Sequence, residues 1–111
     1  MNASEAVSTF GDPNAPGIVF LHGIRLGREI WEPHARALAG RYRVVTVDLP
    51  GHGALAGIPF TTENVTQLLD EAIASNLCGA PLVVGYSLGG YVAMRYGVHY
   101  PERTAAMLLA G

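Results

Sequence analysis

Short runs of consecutive apolar residues recur along the chain, and each is followed by a segment with a different pattern. A run without polar alternation is typical of a strand that a parallel sheet buries on both faces. Val7–Phe10 has weaker extended character and closes in a Gly-Asp-Pro-Asn turn. The pattern therefore predicts four main strands, which are Gly17–Leu21, Arg43–Val47, Leu82–Gly85 and Thr104–Ala110.

Between these strands, apolar residues return at intervals of three and four, which is the period of an amphipathic helix. The first helix begins near Ile30, tolerates Pro33 in its first turn and stops at Gly40. The second has Thr61 or Thr62 as its N-cap, and the third runs from Leu88 to His99. Alternation of strands and helices predicts an α/β fold, a mostly parallel sheet with helices on both faces, in one continuous unit over residues 1–111.

Composition and charge narrow the function classes. Half of the 111 residues are apolar and the net charge is -2, so we expect neither nucleic acid nor an anionic membrane as a partner. No apolar stretch is long enough to span a membrane, and the N-terminus lacks a signal peptide, which predicts a cytoplasmic protein. Cys78 is the only cysteine, so we expect no disulfide, metal site or cofactor, and we interpret Cys78 as a small apolar filler near a helix end.

Gly85-Tyr86-Ser87-Leu88-Gly89 matches the pattern G-x-S-x-G between a predicted strand and a predicted helix. A serine on such a sharp turn has strained backbone angles, and side chains two residues before and after it would collide with the turn. The turn raises the hydroxyl above the sheet and points the first helical N–H groups towards it. The three fixed residues alone would match a chain of this length by accident in about 5% of cases. The interpretation as a strained serine turn therefore depends on the predicted strand before the motif and the predicted helix after it.

Four motifs in this order resemble those of the α/β-hydrolase family, over about Gly17 to Gly111. They are His22-Gly23, Asp48-Leu49-Pro50-Gly51-His52-Gly53, Gly85-Tyr86-Ser87-Leu88-Gly89-Gly90 and Tyr100-Pro101-Glu102-Arg103. The resemblance implies the N-terminal portion of such a fold, with the main strands in the spatial order second, first, third, fourth. The fourth would then be an unprotected apolar edge, so we expect the isolated chain to self-associate.

The same resemblance implies the roles of individual residues. Ser87 would be the nucleophile, flanked by the elbow glycines Gly85 and Gly89. The backbone N–H groups of Ile24 and Leu88 would form the oxyanion hole, with His22 and Gly23 supporting the loop that carries Ile24. A serine nucleophile implies acyl transfer on a small carbonyl substrate such as an ester, amide, thioester or activated ketone.

The acid and the histidine of a catalytic triad follow the serine in this family, and the resemblance places both after Gly111. His99 comes twelve residues into the third helix, roughly 18 Å from Ser87. We therefore expect it only to interact favourably with the C-terminal end of the helix dipole. His22 and His52 have no evident carboxylate to orient them as a substitute base.

Three further expectations concern neighbouring residues. Asp48 is expected to anchor its loop, and His34 to face solvent. Arg25 and Arg28 follow the first main strand. We expect both to be solvated surface residues rather than to bind an anionic substrate.

Two alternatives remain. Gly51, Gly53 and Gly57 superficially resemble a dinucleotide-binding pattern, but no helix follows them at once, as that function requires. The more serious alternative is a truncated, hydrolase-like domain that is not catalytic and has a binding role or none. The absence of the acid and the histidine favours this alternative. The intact turn around Ser87 argues against it.

Overall fold

A computed structural model describes residues 1–111 and contains five strands and three helices, connected by loops and short 3₁₀ turns. The strands are β1 (Val7–Phe10), β2 (Gly17–Leu21), β3 (Arg43–Val47), β4 (Leu82–Tyr86) and β5 (Ala106–Ala110). The helices are α1 (Glu32–Leu38), α2 (Thr62–Asn76) and α3 (Leu88–His99).

All five strands form one sheet in the order β1-β3-β2-β4-β5. β3, β2, β4 and β5 are parallel, which confirms the predicted α/β class and the order of the four main strands. The weakly extended N-terminal segment is β1, which pairs antiparallel with β3 and forms the second edge of the sheet. The sheet is therefore mostly parallel, with one antiparallel edge strand.

Local signals explain where the helices begin. Thr61 is the N-cap of α2, because its hydroxyl accepts a hydrogen bond from Asn64 N–H at 3.1 Å. Pro33 lies in the first turn of α1, where its missing N–H costs no helical hydrogen bond. None of the three helices combines the length and the apolar character that crossing a membrane requires.

The helices cover the two faces of the sheet unequally. α2 and α3 pack on one face and bury the larger core, while α1 covers part of the other face, where Phe20 stacks on Trp31 with ring centroids 4.6 Å apart. The larger core contains Ala3, Ala6, Val19, Leu21, Val45, Val47, Leu49, Leu55, Leu68, Leu69, Ala72, Val83, Val92, Ala93 and Tyr96. The smaller core contains Ile18, Phe20, Trp31, Ala35, Val44 and Val84.

The part of the second face that α1 leaves open is an apolar groove of about 830 Å³, which reaches from Trp31 to Leu108. β5 borders this groove and pairs only with β4, and all five of its residues are exposed. The strand has no charged residue or proline that would oppose pairing with a further strand. β5 is thus the apolar sheet edge that the sequence predicts.

Polar side chains fix the far end of α3 to α2. The Tyr96 hydroxyl donates to Asp70 Oδ1 at 2.6 Å, and Arg103 Nη1 donates to both Asp70 oxygens at 3.0 Å. Burial, followed by the hydrogen bond to Asp70, raises the pKa of Tyr96 above its ordinary value, so the hydroxyl stays a donor. This contact joins α2, α3 and the turn after α3.

The expected burial of Cys78 is wrong. Its side chain is exposed just after α2, and its thiol donates a hydrogen bond to the Pro13 carbonyl at 3.2 Å. The helix ends at Asn76, before Cys78, so the residue belongs to the connecting loop and not to the apolar face of the helix.

We expect the chain to self-associate through β5 in sedimentation velocity, since an unpaired apolar edge offers free N–H and C=O groups to another copy. Leu108→Lys should shift the distribution towards monomer, because it places a charge on the exposed edge. Val98→Lys is the matched control on the exposed surface of α3 and should leave the distribution unchanged. A monodisperse monomer in the unsubstituted chain would contradict this expectation.

Candidate active site

Ser87 is the single residue between the end of β4 and the start of α3, and its side chain is exposed. Its backbone has φ 55° and ψ -113°, a conformation that L-residues other than glycine rarely adopt. Strain of this kind is retained where the surrounding structure fixes it, most often at functional sites. Gly85–Gly89 is called the Ser87 turn below.

Two glycines make the Ser87 turn sterically possible. A Cβ atom on Gly89 would overlap the carbonyl oxygen of Leu21, and one on Gly85 would overlap the carbonyl oxygen of Gly89. The first turn of α3 therefore lies directly on the backbone at the end of β2. No residue larger than glycine fits at either position without moving main chain.

Two backbone N–H groups lie at the same edge of the sheet as Ser87. The Leu88 N–H begins α3 and has no acceptor within the helix. The Ile24 N–H donates no hydrogen bond, and it follows β2 by three residues. Because Leu21 of β2 pairs with Gly85 of β4, the loop after β2 lies beside the Ser87 turn. Free donors at a helix N-terminus favour a developing anion.

The loop after β2 forms a compact segment, Gly23–Gly27, which is called the arch. The Leu26 N–H donates to the Gly23 carbonyl at 3.2 Å, and Arg25 adopts a positive φ of 63°. Arg25 is exposed and forms no hydrogen bond or ion pair, as expected for a solvated residue.

His22 holds the first end of the arch to the loop after β3. Its buried ring accepts a hydrogen bond at Nε2 from Leu49 N–H at 3.0 Å, so Nδ1 carries the proton and donates to the Gly23 carbonyl at 2.7 Å. Burial lowers the pKa of His22, and the hydrogen bond to Gly23 opposes this only in part. His22 is therefore neutral, and both ring nitrogens are already used within the loops.

Arg28 holds the second end of the arch, and its expected solvation is wrong. Its Nη1 donates to Asp48 Oδ2 at 2.9 Å, its backbone N–H donates to Asp48 Oδ1 at 2.8 Å, and its Nε donates to Ser8 Oγ at 2.9 Å. Asp48 also accepts from Ala54 N–H at 3.0 Å, which confirms that it anchors its loop. The sequence carries no local signal for this pair, because Arg28 and Asp48 lie in different loops.

None of the four histidines hydrogen bonds to Ser87. His52 contacts the His22 ring edge-on with centroids 4.9 Å apart, and its Nδ1 lies 3.1 Å from the Pro50 carbonyl. His34 is exposed on α1, as expected, although its ring also packs against Trp31. His99 is the last residue of α3, at the opposite end from Ser87. The structure thus places the Ile24 and Leu88 N–H groups at the same edge of the sheet as Ser87, and no histidine–carboxylate pair hydrogen bonds to the serine.

Comparisons with known proteins show which proteins the chain is similar to. The chain is 38% identical over 107 residues to the pimeloyl-[acyl-carrier protein] methyl ester esterase of Nitrosomonas europaea, covering 96% of this chain and 40% of the esterase. It is 42% identical over 85 residues to the 2-succinyl-6-hydroxy-2,4-cyclohexadiene-1-carboxylate synthase of Salmonella paratyphi C, covering 76% of this chain and 33% of the synthase. The chain therefore spans about two fifths or less of the length of these relatives.

Among solved structures, MenH from S. aureus superposes with a TM-score of 0.80 at 26% identity, over 94% of this chain and 41% of MenH. A mostly parallel sheet with a strained serine between a strand and a helix defines a class of α/β proteins typified by serine hydrolases. The model of the alpha/beta hydrolase family matches residues 18–111, and the chain belongs to that family.

Gly89→Ala should destabilise the fold by about 3 kcal/mol, because its methyl group would displace the backbone at the end of β2. Gly40→Ala is the matched control, since a Cβ atom there meets nothing within 4 Å, and its effect should stay within about 0.5 kcal/mol. Urea unfolding followed by circular dichroism measures both. Equal midpoints for the two variants would disprove the close backbone contact.

Neutral His22 should make stability fall at acidic pH. Because its folded-state pKa lies below the unfolded value of 6.5, the unfolded chain binds more protons below that pH, and the free energy of unfolding decreases as pH falls further. Urea unfolding between about pH 8 and about pH 5 should show this slope, and His22→Asn should reduce it. His34→Asn, at an exposed histidine, should keep the slope of the unsubstituted chain.

Proposed function

We propose that these residues supply the nucleophile and the oxyanion hole of a serine hydrolase that acts on a small ester, thioester or related carbonyl substrate. The observation that carries the proposal is the strained backbone of Ser87, at the same edge of the sheet as two N–H groups, those of Ile24 and Leu88. In this assignment Gly85–Gly89 is a nucleophile elbow, and His22 and Gly23 support the arch.

The proposed chemistry forms an acyl-enzyme. Ser87 Oγ attacks the carbonyl carbon, a general base takes the hydroxyl proton, and the oxygen that becomes negatively charged receives hydrogen bonds from Ile24 and Leu88. The base returns the proton to the leaving alcohol or thiol, and water then hydrolyses the ester at Ser87. The oxyanion hole lowers the barrier because its dipoles are already oriented when the charge develops.

The general base is not among the four histidines of this chain. His22 is neutral, but its Nε2 already accepts from Leu49 N–H, and His52 has no carboxylate hydrogen bonded to it. We therefore place the histidine and the acid after Gly111, as the family resemblance implies, and we propose that residues 1–111 alone are nearly inactive. Loss of the base in a serine protease lowers the rate by about a million-fold.

The relatives support carbonyl chemistry as the class of reaction. One of them is named as a methyl ester esterase and shares 38% of the aligned residues across nearly the whole of this chain. The alternative, a domain with no catalytic role, does not explain why Ser87 keeps a backbone conformation that costs about 1–3 kcal/mol.

The location of the protein in the cytoplasm stays a prediction.

Labelling with a fluorophosphonate tests both parts of this proposal. Without an added base, labelling should be slow, because the oxyanion hole alone leaves only about a thousand-fold of catalysis. Imidazole added as an external base should accelerate the labelling of Ser87. Ser87 should then be labelled at least about tenfold faster than any other serine, as mapped by peptide mass spectrometry. Ser87→Ala should lose this labelling, and Ser75→Ala, an exposed serine on α2, should keep it.

Each contradicting outcome overturns a different part. Rapid labelling of Ser87 in the absence of imidazole would show that the 111 residues contain a working base. Equal labelling of Ser87 and Ser75 in the presence of imidazole would show that the oxyanion hole does not exist in this chain. Loss of selectivity in urea serves as the control that the folded turn is responsible.

A further inference from the structure

A partly buried ion pair joins the end of the arch to two other parts of the chain. The Asp48 carboxylate accepts hydrogen bonds from the backbone N–H and the Nη1 of Arg28, and a third from Ala54 N–H. Arg28 also reaches residues 3–10, which are called the N-terminal segment. There its Nε donates to Ser8 Oγ at 2.9 Å and its Nη1 to the Glu5 carbonyl at 3.1 Å. The arch, the loop after β3 and the N-terminal segment therefore meet at one guanidinium.

Asp48 is the fixed point of this arrangement. Its side chain is only 6% exposed, and its carboxylate occupies the space that a Cβ atom on Gly53 would need. Its backbone N–H donates to the Ala6 carbonyl at 2.8 Å. A buried carboxylate is costly when its charged partner is removed, so loss of the guanidinium would force Asp48 to move or to admit water. Either response shifts the point to which the arch is attached.

The arch needs this attachment because part of its backbone is strained. Arg25 has a φ of 63°, in the left-handed region that L side chains rarely adopt. Strained backbone persists only where the surrounding structure fixes it. Ile24 immediately precedes Arg25, so the direction of its N–H depends on where the two ends of the arch are held.

We propose that Arg28 is a positioning residue that holds the Ile24 N–H in place as an oxyanion donor. The inference rests on the proposed function, because it takes this N–H as a donor to the substrate carbonyl oxygen. Arg28 forms no hydrogen bond to Ser87, so it acts only through the arch. The donor also depends on the N-terminal segment, because Ser8 holds the same guanidinium.

Fluorophosphonate labelling with imidazole measures the effect on Ser87. Arg28→Met should lower the labelling rate about tenfold, because it removes the charge and a small displacement of a reacting group is enough to slow a reaction this much. Arg28→Lys keeps the charge without the planar fork and should recover part of the loss. Ser8→Ala should lower the rate about threefold, since it removes one hydrogen bond. Arg36→Met is the matched control, because it removes only an exposed ion pair with Glu32 on α1, and it should leave the rate unchanged.

A second measurement separates positioning from a loss of stability. In NMR spectra of the chain with ¹⁵N-labelled isoleucine, Arg28→Met should shift the amide resonance of Ile24 and leave that of Ile73, on α2, in place. A variant that is only less stable would keep its folded-state resonances and would be labelled in proportion to its folded fraction, which circular dichroism measures. If Arg28→Met does not fold, Arg28→Lys serves for both measurements.

The outcomes separate this proposal from the catalytic one. Unchanged labelling of folded Arg28→Met would overturn the role of Arg28, and so would slower labelling with an unmoved Ile24 resonance. An equal loss in Arg36→Met would also overturn it, because the effect would then belong to charge in general. Failure of the proposed function has a different signature, since the unsubstituted chain would then show no imidazole-dependent selectivity for Ser87. In that case the Ile24 resonance still shows whether Arg28 fixes the arch.

Discussion

The contact on which the rest of the site depends is between two stretches of backbone, the first turn of α3 and the end of β2. Gly89 allows it, because any side chain there would overlap the Leu21 carbonyl. With the helix this close, β4 must turn sharply to enter it, and Ser87 takes up the strained angles of that turn. The direction of the Leu88 N–H and the closeness of the arch follow from the same approach. Packing, more than hydrogen bonding, therefore defines the geometry of this edge of the sheet.

Much of the fold follows from the sequence because parallel strands and amphipathic helices leave strong local patterns. The consecutive apolar residues of β2 and β3, and the glycines around Ser87, specify their elements without reference to distant residues. The antiparallel pairing of β1 had no such signal, since a short edge strand needs few apolar residues. Long-range pairs such as Arg28 with Asp48 could not be predicted, because their geometry exists only after two loops have met.

The edge of the sheet that carries Ser87 and the opposite end of α3 are stabilised in different ways. At the Ser87 turn, neutral hydrogen bonds of His22 and the partly buried ion pair of Arg28 hold loops whose shape must be kept. At the far end, Tyr96 and Arg103 both donate to the carboxylate of Asp70. α3 is thus attached to α2 near its end by a hydrogen bond, and to β2 in its first turn by the close contact of Gly89 with Leu21.

The Ser87 turn also contains a hydrogen bond to a residue that comes much later in the chain. The Ser87 N–H donates to the carbonyl of Ala110, at the end of β5, at 2.8 Å. During synthesis from the N-terminus, β2, β3 and β4 can emerge before this acceptor exists. This hydrogen bond can therefore form only after β5 has been translated and has docked on β4. The hydrogen bonding of the Ser87 turn is in this sense completed by the last strand of the sheet, which is translated after every other element.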